Sequence, residues 1–319
     1  MPRRITNLLT TVAAIFLFAA PASQAKLKVV ASISDLGWLA QRVGGDAVDV
    51  SVLCPGNRDP HYLPAKPSLT RKLRKADLLI YNGLELEIGW LPLLINTARN
   101  PRIESGGGGE LDCSLALTHI LEIPSGPVSR AEGDIHPLGN PHYLIDPRNG
   151  AAVATLMAER MATLDPKSGG DYRARAAALV KEIEGKLPVW EDLARPARNH
   201  SIVVYAKQWE YLTEWLGLTA ICAIEHRPGI APSPKHVEEL IQKGKHLGNS
   251  IVIAAPWNHL DAARNTADRM GAPFLILPPA VGSTEEAAGY FDMFDDICSK
   301  LGTAAASDSA RAKESGIMP

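Results

Sequence analysis

Short β-rich runs alternate with helical stretches along almost the whole chain, and the rhythm is played twice, once on each side of a long helical segment at mid-chain. In the first half, Leu27 to Ile33, Val48 to Leu53 and Leu78 to Tyr81 read as strands. Helices are expected through Leu36, Leu39, Ala40 and Val43, from Ser68 onward, and from Trp90 to Ala98. In the second half, strands are expected at Ser201 to Ala206, Leu218 to Glu225, Ile251 to Ala255 and Phe274 to Leu277. The intervening helices fall at Trp209 to Leu216, Pro234 to Lys245 and Ala262 to Met270, with Tyr290 to Leu301 closing the series. Strands separated by helices must cross over to pair, which predicts parallel sheets covered on both faces. Between the halves, from about Pro147 to Arg195, apolar Tyr172, Leu179, Ile183, Leu187, Trp190 and Leu193 keep a helical spacing, with Pro188 expected to bend or interrupt it.

The expected fold class is α/β: two lobes, each a mostly parallel sheet flanked by helices, joined by a long backbone helix. At 319 residues the chain exceeds what one hydrophobic core usually supports, in agreement with two lobes. The expected boundaries are a signal peptide at 1–25, an N-terminal lobe at 26–150, a linking helical segment at 151–200, a C-terminal lobe at 201–302, and an Ala- and Ser-rich disordered tail at 303–319.

The first 25 residues carry Arg3 and Arg4, an apolar run from Leu8 to Ala20 too short to span a bilayer comfortably, and Ser23-Gln24-Ala25 as a cleavage signal before Lys26. The protein is therefore expected to be exported, and no cysteine follows the cleavage point to carry a lipid. The whole chain has 33 basic and 35 acidic side chains, a formal charge of −2, which becomes −4 once Arg3 and Arg4 leave with the signal. So mild a charge gives no footprint for nucleic acid or an anionic membrane. A monomer is expected. No second long apolar stretch exists, so any transport needs a separate membrane partner. Of the four cysteines, Cys54 and Cys113 fall in the first half and Cys222 and Cys298 in the second, so Cys54–Cys113 and Cys222–Cys298 are the economical pairings among three.

The motif that speaks to chemistry is a near-repeat. Asp59-Pro60-His61-Tyr62 returns about 80 residues later as Asn140-Pro141-His142-Tyr143. Each copy sets an imidazole directly after a proline, whose fixed φ stiffens the approach. Neutral imidazole is the commonest protein ligand for a transition metal. Ligands in parallel α/β sheets sit beyond the carboxyl ends of strands, and His61 falls at such an end. The glycine run Gly106–Gly109 lacks the strand-then-helix setting of a phosphate loop. Ile123 to Asn140, with three prolines and His136, reads as a loop; for His136 a solvent-exposed ring is the preferred reading, with metal binding from a mobile loop as the alternative. His119, His200, His236 and His246 read as surface histidines. Tyr62 and Tyr143 are expected to pack beside their histidines, and Asp146 either to orient a ligand ring or to cap a helix.

Several segments in order resemble the metal-specific solute-binding proteins of ABC transporters, the cluster A-I periplasmic family that delivers zinc or manganese. They are Gly44-Gly45-Asp46, Pro55 to His61, Lys75 to Gly83, Gly139 to Pro147 and Glu225 to Ile230. The resemblance implies two α/β lobes around a metal-holding cleft, a periplasmic location, handover to an ABC permease, and His61 and His142 as the ligands of the N-terminal lobe. Family members usually place a third ligand at the end of the first C-lobe strand. Here that place falls on Ala206, within Val204-Tyr205-Ala206-Lys207-Gln208-Trp209. Where some members have a further carboxylate, this chain has Pro278 and Pro279.

A transition-metal site needs about three protein ligands, so the C-terminal lobe should supply a replacement. Glu225 ranks first, ahead of His259 and His226, with Asp261 close behind His259; the rival role for Glu225 is to hold the turn that follows it. Two imidazoles and a carboxylate favour Zn2+, with Mn2+ as the alternative. The expected function is metal capture and delivery without catalysis. The rivals are an exported metallohydrolase, against which no H-E-x-x-H pair exists, and a degenerate binding protein or adhesin that lost its metal through Ala206.

Overall fold

The computed structural model describes residues 25–126, 136–225 and 229–314. The signal peptide up to residue 24 and His226 lie outside these. In the N-terminal lobe, β1 (Leu27–Ile33), β2 (Val48–Cys54), β3 (Leu78–Tyr81) and β4 (Glu110–Asp112) form a four-stranded sheet in the order β2-β1-β3-β4. All its pairings are parallel. The C-terminal lobe repeats the plan with β5 (Ser201–Val204), β6 (Thr219–Ala223), β7 (Ser250–Ala254) and β8 (Phe274–Ile276), in the order β6-β5-β7-β8 and again all parallel. In both sheets the chain first steps to one side and then to the other, so the carboxyl ends of the two central strands flank a switch point where loops diverge.

Helices fill the crossovers. α1 (Ser34–Gly44) buries Leu36, Leu39, Ala40 and Val43 against the sheet, and a Cβ on Gly37 would lie 2.4 Å from Val52 Cγ2, so glycine lets this helix lie close on β2. α2 (Pro67–Arg74) opens on a proline, whose missing N–H costs nothing at a helix start, and α3 (Leu91–Ala98) follows β3. The mid-chain segment holds α4 (Pro147–Leu164) and α5 (Gly169–Ala194), parted at Asp165–Ser168 where Pro166 cannot continue a helix, and α5 is the expected long helix between the two sheets. α5 runs on through Pro188 and buries Tyr172, Leu179, Ile183 and Trp190 on one stripe. In the C-terminal lobe α6 (Glu210–Leu216), α7 (Pro234–Leu247) and α8 (Leu260–Met270) alternate with the strands.

α9 (Tyr290–Glu314) corrects the expected tail. The chain is helical to Glu314 because Leu301 and Ala305 are fully buried, so the helix keeps a core face well past Gly302. Phe294 stacks near Trp190 and Tyr290, ring centres 5.1 and 5.0 Å apart, which docks α9 on α5. His200 is a second correction: its side chain is 3% exposed, with Nε2 3.5 Å from Asp308 of α9. His236 is a third, since it is half-buried with Nε2 2.9 Å from the Ala223 carbonyl.

The cysteine pairings are also corrected, for all four thiols are free. Cys54 ends β2 and Cys113 follows β4, at opposite edges of a sheet whose strands are spaced about 4.8 Å apart, beyond disulfide reach. Cys298 lies in the main core with α9, whereas Cys222 packs on a separate small cluster around Val203, Ile224 and Val252. That main core runs unbroken through both lobes. Polar ties cross the seam as well: Asp35 Oδ1 accepts from Val281 N at 3.0 Å, and Tyr290 OH donates to Leu144 O at 2.6 Å. No helix among the described residues is long and apolar enough to cross a membrane.

Candidate metal centre

Both proline-histidine tetrapeptides fold as the same turn. Asp59 Oδ1 accepts the His61 backbone N–H at 2.9 Å, and Asn140 Oδ1 accepts that of His142 at 2.9 Å. The aspartate or asparagine two residues ahead is thus part of the motif: its side chain closes a local turn that proline pre-sets, and the imidazole is projected from a fixed base. The loop after β2 carries His61 and the long connection after β4 carries His142, so the fold delivers both to the carboxyl end of one sheet.

The two rings meet, with centres 5.2 Å apart. A third ring joins them. His136, expected to be exposed, is half-buried with Nε2 3.2 Å from His61 Nε2 and ring centres 5.3 Å apart. His136 and His142 stand 6.4 Å apart by the same measure, and among the described residues no group of three or more His, Cys, Asp or Glu is already set to hold an ion.

The electrostatics favour lone-pair donors. Asp59 Oδ1 lies 2.7 Å from His61 Nδ1. Burial works to raise the Asp59 carboxyl, but its bonds to the His61 ring and backbone hold it below the usual carboxylate value. An ionised acceptor at Nδ1 keeps the proton there and leaves Nε2 to face the cleft. Burial, reinforced by the neighbouring His61 and His136, pushes the His142 ring well below the ordinary histidine range, so it is neutral at physiological pH. The tyrosines part company: Tyr143 is buried and donates to Asn82 O at 2.7 Å, while Tyr62 is 59% exposed with its ring centre 6.1 Å from that of His61. Asp146 caps α4 by accepting from Arg148 N at 2.9 Å.

Opposite the histidines stands the C-terminal lobe, across a cavity of about 350 Å³. Its wall is made by loops after strand ends: Tyr205 to Gln208 after β5, Glu225 and Gly229 after β6, and Trp257 to His259 after β7. Ala206 lies in this wall and offers only a methyl group. Glu225 lines the cavity and accepts from Gly229 N at 2.5 Å, so one oxygen also braces the turn. His259 lines it from the start of α8, whereas Asp261, inside the first turn of α8, does not. Sequence reasoning undervalued His136 because a loop histidine carries no local signal of what folds against it.

Two parallel α/β lobes that open the carboxyl ends of their sheets onto one histidine-lined cleft define a two-lobed binding protein. Residues 29–304 match the family model described as zinc-uptake complex component A, periplasmic, and the chain belongs to that family. The high-affinity zinc uptake system protein ZnuA of Paracoccus denitrificans is 29% identical over 264 residues, covering 74% of this chain and 79% of that protein. The manganese ABC transporter substrate-binding lipoprotein PsaA of Streptococcus pneumoniae is 25% identical over 227 residues, covering 69% of each. A crystal structure of ZnuA superposes with a TM-score of 0.74 at 24% identity, covering 88% of this chain and all of that one, which shows the shared fold.

Proposed function

We propose that this is an exported, periplasmic binding protein that captures a transition-metal ion, zinc by preference with manganese as the alternative, and hands it to an ABC permease without catalysing a reaction. His61 and His142 hold the ion from the N-terminal lobe with His136 as a further imidazole, and Glu225 meets it from the C-terminal lobe. The spacing around His61 carries this reading. Two imidazole nitrogens on one tetrahedral zinc, each about 2.0–2.1 Å away, stand roughly 3.3 Å apart, with ring centres roughly 5 Å apart. His61 and His136 have their nitrogens at 3.2 Å, and both pairs that include His61 have ring centres at 5.2–5.3 Å. His61 is therefore the pivot, and a modest closing of His136 toward His142 completes a three-nitrogen site. Membership of the zinc-uptake family and relatives named for zinc and manganese transport support the same reading.

The neutral His142 ring is free to coordinate without first losing a proton. Release is aided by acid, because protons compete for the same nitrogens. Calorimetric titration of metal-free protein with zinc and with manganese tests the reading. Tight one-to-one binding that His61→Ala removes is the expected result. A flat titration with both ions overturns it.

A further inference from the structure

The two tetrapeptides are braced differently. Asp59 Oδ1 accepts from both the backbone N–H and ring Nδ1 of His61, at 2.9 and 2.7 Å. Asn140 stands in its place in the second copy, is 5% exposed, and has every polar atom engaged. Its Oδ1 accepts the His142 backbone N–H at 2.9 Å, while Nδ2 donates to Glu122 Oε2 at 3.0 Å and to Glu210 Oε2 at 3.2 Å. Its backbone N–H donates to Leu121 O at 2.8 Å, and its carbonyl accepts from Tyr211 OH at 3.1 Å. One residue further, Pro141 O accepts from Asn82 Nδ2 at 2.9 Å.

Two of the partners of Asn140 belong to the other lobe. Glu210 and Tyr211 open α6, so the first turn of a C-terminal helix grips the residue that closes the His142 turn. Tyr211 OH also accepts from Leu121 N at 3.0 Å, and Lys207, in the loop after β5, pairs with Glu122 at 2.8 Å. A carboxamide accepts a backbone N–H at one end and donates its two hydrogens to carboxylates at the other; a carboxylate cannot donate. An aspartate at this position would set a third acid against two. Burial and the neighbouring Glu122 already push Glu210 up from 4.5 to about 7, the mark of a place where added negative charge is costly. The change from Asp59 to Asn140 between the copies follows from what faces it.

We infer that Glu210 is a positioning residue of His142, acting from the C-terminal lobe through the Asn140 amide. With Nδ2 anchored, Oδ1 is aimed at the His142 N–H, and the imidazole projects from a base held by both lobes. The lobe that carries Ala206 thus supports the N-terminal ligand without touching the ion. The consequence for metal affinity rests on the proposed function, whereas the latch itself does not.

Two readouts on the whole protein test this: zinc titration, and hydrogen exchange of the His142 backbone N–H in the metal-free form, followed by NMR. Asn140→Asp, which copies the first tetrapeptide, is expected to speed that exchange and weaken zinc binding roughly 10- to 100-fold, the usual scale for outer partners of metal ligands. Glu210→Leu, which strips one acceptor from the amide, is expected to move both readouts in the same direction. Asn140→Asp combined with Glu210→Gln sets a donor against the new carboxylate. It is expected to recover slow exchange and most of the affinity, which general damage to the fold would not allow. An Asn140→Asp or Glu210→Leu protein with unaltered exchange and affinity, or a double variant no better than Asn140→Asp alone, overturns the inference. A flat zinc titration of the unaltered protein, with the exchange rates still following this pattern, overturns the metal reading and supports the latch.

Discussion

The two walls of the cleft are built on the same scaffold yet have come to do different work. Each rests on a four-stranded parallel sheet of identical strand order, and each presents loops from carboxyl strand ends. The N-terminal wall carries His61 on a stiff turn with its ring bonded to an ionised carboxylate, and His142 on a matching turn. The C-terminal wall places Ala206 after its first strand and a carboxylate, Glu225, that also holds its own turn. Identical topology therefore fixes where donors can be placed, not whether they are. If the proposed function holds, this difference predicts that the N-terminal lobe dominates affinity and the C-terminal lobe tunes the site.

Removing a ligand from the dominant wall tests this most severely. Structural zinc sites with four ligands release about 10–16 kcal/mol, so one ligand is worth roughly 3 kcal/mol, a hundredfold or more in affinity. His61→Ala should lose at least that much in a zinc titration, because it removes the nitrogen common to both close pairs. Retention of affinity within tenfold would break the asymmetry outright.

The seam between the lobes gives the next largest effect. Asp35 on α1 is buried against Val281 N from the other lobe, and desolvation pushes its carboxyl up from 3.8 to about 6. A folded-state pKa above the unfolded one means the native protein binds the proton more tightly. The resulting stability is full below pH ~4 and is lost as pH rises through about 6, by up to about 3 kcal/mol for a rise of that size. Asp35→Asn keeps an acceptor for Val281 N and carries no charge. Denaturant melts between pH 5 and 8 should therefore show a shallower loss of stability for this variant; parallel curves would remove Asp35 from the account. Close by, a Cβ on Gly56 would lie 1.8 Å from Val281 O, while one on Gly108 meets nothing within 4 Å. Gly56→Ala should cost about 2 kcal/mol by overpacking the seam, against almost none for Gly108→Ala. Equal melting points for the two would mean the lobes part easily there.

The strands that position the site were legible because each is an apolar run bounded by turn residues, and so was the alanine at 206. β4 was not, since Glu110-Leu111-Asp112 is three residues long and takes its identity from pairing with β3. The turn chemistry of Asp59 and Asn140 stands in plain view in the repeat, where the proline-histidine part overshadows it. His136 ranks below its due in the sequence, and His200 reads as a surface residue, for one reason: each is defined by a partner far along the chain, His61 and Asp308, that no local pattern announces. Apolar periodicity ends at Leu301 only if alanine is discounted, and Ala305 at 0% exposure explains why α9 continues.

The smallest expected effect is the one that most sharpens the contrast between walls. Glu225 contributes a charge to the cleft and an acceptor to Gly229 N, and the two roles separate in Glu225→Gln, which keeps an acceptor and removes the charge. If the C-terminal wall only tunes the site, this variant should melt with the unaltered protein and bind zinc about fivefold more weakly, close to 1 kcal/mol. Glu225→Ala should add a loss of stability of about 1 kcal/mol from the unsupported turn, with little further loss of affinity. A fall in affinity for Glu225→Gln as large as that for His61→Ala would make the walls equal partners, and the single carboxylate would then carry what the alanine at 206 gave up.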